Sequence, residues 1–227
     1  MSGLAIRLRI WIKLWFTSFH FIVIMLLIPF GGYFIHIFQL YTVGSLSSMI
    51  YEKAALILFV FILQWCFSID FDSKFYGQLI TYSISRWKLI VERLVISSLI
   101  FFTLLCFVTL LLTPLTGSFI WKGLLFSIPV YIGIGGTVVV ATVTGNHSLG
   151  GGFAGLIFWM ISLNGGALLL YLNPVLLDFP NVYKYINGNS GFFSIDDRWI
   201  LYNRLFYIGL GVLLSILAVF QFNRKSF

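Results

Sequence analysis

Nucleophilic or metal chemistry in this chain would fall to three histidines, two cysteines and their hydroxyl neighbours. His20, His36 and His147 are scattered, with no Glu or Cys beside them at the spacing of a metal site, so no metal is expected. Gly145-Asn-His-Ser148 sets a histidine next to a serine, the pairing in which an imidazole takes a hydroxyl proton. Adjacent positions in a tight loop do not give that geometry, and no Gly-x-Ser-x-Gly elbow occurs. Cys66 and Cys106 lie inside apolar runs, where a thiol behaves as a small hydrophobe, and they give no disulfide framework. The sequence has no Gly-Lys pair, hence no phosphate-cradling Gly-x-x-x-x-Gly-Lys-[Ser/Thr] loop. No catalytic residue and no cofactor are therefore expected in this chain.

The elements around these residues are apolar. Of 227 residues, 60% are hydrophobic and only 9% charged, with a mean hydropathy of +1.02, which excludes an ordinary soluble domain. The spacing predicts an all-α polytopic membrane protein, a single transmembrane domain over 1–227, with spans at about 15–37, 54–69, 94–112, 123–144, 150–172 and 205–222. Helices are required because an unpaired backbone group in hydrocarbon costs several kcal/mol and the runs lack the alternation of a barrel. Six such helices leave no room for a separate soluble catalytic domain. The first run reads as a retained span bent near Pro29, since it is too long for a signal core and no small-residue cleavage site follows.

The net charge of +7 reports loop sidedness rather than nucleic acid. With a cytoplasmic N-terminus, nine basic residues fall inside (Arg7, Arg9, Lys13, Lys74, Arg86, Lys88, Arg93, Arg224, Lys225). Five fall outside (Lys53, Lys122, Lys184, Arg198, Arg204), which places both termini in the cytoplasm of a cell-membrane protein. The basic, apolar N-terminal segment reads either as a topology-fixing flank or as an interfacial helix. No Lys, Arg, Asp or Glu lies deep inside a span; Gln64 and Asn164 come nearest, which argues against a self-powered secondary transporter. Glycines cluster at Gly133, Gly135 and Gly136, at Gly150–Gly152 and Gly155, and at Gly165 and Gly166, as close packing of the fourth and fifth spans would require.

Two connections carry more than a turn. In the inner one, Phe71, Phe75, Leu79 and Tyr82 fall within about 80° on a helical wheel, opposite Ser73, Lys74, Gly77, Gln78 and Thr81. A short amphipathic helix follows, resting on the bilayer or on a partner. The outer one, 173–203, holds Val175, Leu176, Leu177, Phe179, Phe192 and Phe193 broken by Pro174 and Pro180, and is expected to dip into the interface or re-enter between helices. Ser194-Ile-Asp-Asp197 has the pattern of a helix start, so the last helix is expected from near Ile195.

The run Asp70-Phe-Asp-Ser-Lys-Phe-Tyr-Gly-Gln-Leu-Ile-Thr-Tyr-Ser-Ile-Ser-Arg-Trp-Lys88 resembles the segment after the second span of ABC-2 type (type-2 ABC exporter) permease subunits. Gly77, Leu79, Ile84, Ser85 and Arg86 fit that pattern; Gln78 stands where a Glu is usual, and Tyr82-Ser83 where a Pro is usual. The six-span order, Asn173-Pro174 before the last span and the basic tail extend the likeness over most of the chain.

The resemblance implies a coupling helix at about 71–83, with Phe71, Phe75, Leu79, Tyr82 and Arg86 facing a separate ATP-binding subunit. It implies a second permease chain, same or homologous, and a re-entrant outer segment in which Asn173, Pro174, Asp178 and Asp197 form an external gate. The aromatic, uncharged spans point to a hydrophobic or amphipathic cargo, an exported peptide or drug, ahead of a polysaccharide. A non-transporting immunity or sensor subunit and an intramembrane enzyme are the competing classes; the second lacks a nucleophile, base or metal set.

Overall fold

The computed structural model describes residues 42–72, 86–164, 170–188 and 197–224, together with Arg9, Lys13 and Gly31. The first expected span, Phe75, Leu79, Tyr82 and the side chain of Arg86 lie outside the described residues.

Continuous apolar runs with no solvent-exposed edge to satisfy fold as helices, and the described residues contain no strand. Four helices are long and apolar enough to cross a membrane: α1 (Val43–Phe71), α2 (Arg86–Thr116), α3 (Phe119–Gly145) and, last in the chain, α6 (Arg198–Arg224). Between α3 and α6 lie α4 (Ser148–Asn164) and the short α5 (Pro180–Asn187). At 1.5 Å per residue the 17 residues of α4 rise about 26 Å, just under a hydrocarbon core of about 30 Å.

The helices exceed the apolar runs that announce them. The second expected span, about 54–69, begins at Val43, because a buried ion partner allows Glu52 to remain helical; the last helix, expected from near Ile195 by its capping pattern, is helical from Arg198. The fifth, expected over about 150–172, is helical to Asn164, and a single 3₁₀ turn stands at Leu170–Leu172. α1 also widens into a π-helix over Ser48–Ala54. Two carbonyls of this stretch take donors from other helices: Tyr131 Oη donates to Tyr51 O at 2.7 Å and Trp159 Nε1 to Lys53 O at 2.8 Å.

α3 is the central helix, packed against α1, α2, α4 and α6. Small residues let it approach α6 to backbone contact: a Cβ on Gly211 would stand 2.1 Å from Ile132 O, and one on Gly136 2.5 Å from Gly211 O. Only part of the glycine pattern packs the fourth and fifth spans together. Gly151 and Gly155 meet Val138 on α3, whereas Gly133 and Gly136 face the last helix and Gly135 faces Phe59 of α1. The core between α1, α2 and α3 centres on Phe59, Phe101 and Tyr131, whose rings lie 4.6–6.1 Å apart. Asn146, left-handed at φ 54°, ends α3 and turns the chain into α4.

Candidate functional site

Polar side chains gather at the two ends of this bundle. At one end Glu52, in the π-helical stretch of α1, is fully buried. Its Oε1 accepts from Arg204 Nη2 of α6 at 2.6 Å, and its Oε2 accepts from the backbone N–H groups of Leu176 and Leu177 at 2.8 and 2.7 Å and from Ser48 Oγ at 3.2 Å. Arg204 Nη1 in turn donates to Pro174 O at 2.9 Å, and its guanidinium lies 4.0 Å above the Phe126 ring. Next to it, Asn203 Nδ2 donates to Tyr171 O and Asn173 O, and Tyr207 Oη to Leu172 O. One face of α6 and one turn of α1 therefore hold the backbone of residues 171–177. Without them the carbonyls of Asn173 and Pro174 and the N–H groups of Leu176 and Leu177 would be buried and unpaired, at about 1–3 kcal/mol each. Val182 and Tyr185 of α5 pack with Leu176 and Ile200, so α5 lies against the same end. Burial, and then the charge of Asp197, push the Tyr185 phenol above the ordinary tyrosine value.

At the opposite end Asp70 and Arg93, both buried, form a two-toothed pair: Arg93 Nε donates to Asp70 Oδ2, and Nη2 donates to Oδ1 at 3.0 Å. Asp72 accepts from the N–H of Ser148 at 2.8 Å and from its hydroxyl, and so caps α4 from a different part of the chain. His147 Nδ1 stands 3.1 Å from Asp72 Oδ1. Asp72 sits between His147 and Ser148, so the imidazole does not bridge to the serine and the set is not a nucleophilic triad. Among the described residues no three His, Cys, Asp or Glu side chains form a metal-holding group.

The expected site residues separate accordingly. Asn173 and Pro174 are buried, and their carbonyls are bound by Asn203 and Arg204. Asp178 lies at the surface, 3.7 Å from Lys53, an exposed pair of the kind that contributes under about 1 kcal/mol. Asp197 immediately precedes α6, close enough to Tyr185 for its charge to be felt there and apart from the ion pair. Phe71 is the last residue of α1 and packs between Phe67 and Phe222, so it belongs to the bundle interior.

Glu52, Arg204, Asn203 and the Asp70–Arg93 pair escaped the sequence reading, which counted the ionisable ones as loop charges. Their signal was opposite charges flanking apolar runs at matching ends of the bundle. No family model, characterised protein or solved structure matches this chain.

Proposed function

We propose that the chain is the permease subunit of an ATP-driven exporter of the ABC-2 type, moving a hydrophobic or amphipathic molecule out of the cell. ATP is hydrolysed by a separate subunit that docks on the segment following α1, and a second permease chain completes the path. Both termini are cytoplasmic in this reading. The observation that supports it is the anchoring of that segment: Asp70 is tied to Arg93 at its two roots, and Asp72 is tied to the start of α4. A push on a segment so rooted reaches α1, α2 and α4 together, whereas a loosely tethered loop would absorb it. The outer segment, bound to both α1 and α6 through Glu52 and Arg204, would feel the same movement at the far end of the same helices.

The test is association. The full-length chain, purified with its ATPase partner, loses that partner on Phe75→Asp while still inserting in the membrane, because a charge in an apolar contact is left without compensation. Unchanged ATPase capture and unchanged transport in this variant overturn the proposal and leave the segment resting on the bilayer.

A further inference from the structure

The four long helices line a cavity of about 370 Å³, half open to the outside of the bundle and walled by Phe59 of α1, Phe102 of α2, Tyr131 of α3 and Val212 of α6, with Ser98 and Ser215 as its serines. No charged side chain lines it. Most hydroxyls of the long helices are spent on the carbonyl three or four positions back, as in Ser97, Thr103, Thr109, Ser127 and Thr142. The others bond to side chains, as Ser48 does to Glu52. Among the described residues, Ser98 and Ser215 are the serines or threonines of these four helices whose hydroxyls have no partner, and both face the one cavity. Both serines are half-buried, Ser98 on α2 and Ser215 on α6, so their hydroxyls stand on different walls of an otherwise apolar lining, where the polar group of a ligand can bond to them.

We infer that this cavity binds an uncharged amphipathic small molecule, an aliphatic or aromatic group ending in a neutral hydrogen-bonding function such as a hydroxyl or amide. The lining excludes an ion, which would find no counter-charge. The volume stands at the lower end of the size range of small-molecule sites, which are apolar with a few placed polar groups. The inference rests on the exporter reading, whose cargo this ligand would be, but its test needs no ATPase.

Full-length chain in phosphatidylcholine nanodiscs is photolabelled with a diazirine-bearing long-chain alcohol and with the matching diazirine alkane. The alcohol labels Phe102 and its neighbours, and Ser98→Trp, or Ile216→Trp from the opposite wall, abolishes that labelling. Ser98→Ala with Ser215→Ala lowers labelling by the alcohol roughly three- to ten-fold and leaves the alkane unchanged. Labelling spread evenly over outward residues such as Leu110 and Phe153, or indifferent to both tryptophans, overturns the inference. So does a diazirine phospholipid that labels the same residues and resists displacement by the alcohol, since the occupant is then a bilayer lipid. Pocket labelling as expected, together with ATPase capture and transport unchanged in Phe75→Asp, refutes the exporter reading alone.

Discussion

Glu52 and Arg204 lie 152 positions apart, and each completes the other's burial: Arg204 Nη2 meets Glu52 Oε1 at 2.6 Å, and both reach onward to the backbone of residues 174–177. A buried pair gains little over well-packed apolar residues, but removing one member leaves an uncompensated charge. Glu52→Ala and Arg204→Ala are each expected to destabilise the fold by about 3–5 kcal/mol. The double variant Glu52→Ala with Arg204→Ala is expected to lose less than the sum of the two. Thermal melts of the detergent-solubilised chain read this; additive losses would mean that the two side chains act independently.

The α3–α6 crossing makes a sharper prediction because it carries its own control. Gly211→Ala drives a methyl group to 2.1 Å from Ile132 O, backbone against backbone, so the two helices must part. Gly209, two residues earlier on the same helix, has nothing within 4 Å of an added Cβ. Gly211→Ala is expected to lower the melting temperature by several degrees, corresponding to about 1–3 kcal/mol of overpacking, and Gly209→Ala to leave it level or raise it. Equal effects at both positions would remove the close crossing.

How far these features were legible in the sequence depended on which physical term dominates. Hydropathy alone marks four of the long helices, since a run such as 94–112 has no alternative to helix in an apolar solvent. The start of α6 was foreshadowed by Ser194-Ile-Asp-Asp197, but the extension of α1 back to Val43 was not, because Glu52 stays helical through a partner 152 residues away and single-chain periodicity carries no such information. The glycine clusters announced close packing but not the partner helix, which depends on the rotation of α3. Phe71 shared a wheel face with Phe75 and Leu79, yet α1 continues to Phe71 and turns it onto Phe222. The unpaired hydroxyls of Ser98 and Ser215 could not be read at all, since bonding to one's own helix leaves no trace in composition.

The two polar ends make the proposed sidedness testable. Asn146 and His147 belong to the end that holds Asp72 and Ser148, and Tyr183 to the end that holds Glu52 and Asp178. If the former end is inside, as proposed from the nine-to-five basic bias, a lone cysteine at Asn146 in a Cys66→Ser, Cys106→Ser background should resist an impermeant maleimide in whole cells. One at Tyr183 should react. The reverse pattern would invert the topology, and reaction at both would contradict a bundle with two separated ends.

Tyr185 gives the structure an alkaline signature. Its phenol loses its proton at higher pH in the folded chain than in the unfolded chain, where the value is near 10. The unfolded state therefore releases its proton first as pH rises, binds fewer protons than the folded state, and is favoured by further base. The stability that Tyr185 contributes is fully present below about pH 10 and is lost as pH climbs through the raised folded value. Asp197 shares in this, because its negative charge opposes a phenolate. Melting temperatures followed from pH 8 to 11 should fall less steeply in Tyr185→Phe, which keeps the ring against Leu176 and Ile200 and removes the titrating group. Asp197→Asn should lie between the two. If Tyr185→Phe falls as steeply as the parent chain, the alkaline loss arises elsewhere and the packing of α5 against the start of α6 does not hold the phenol in its neutral form.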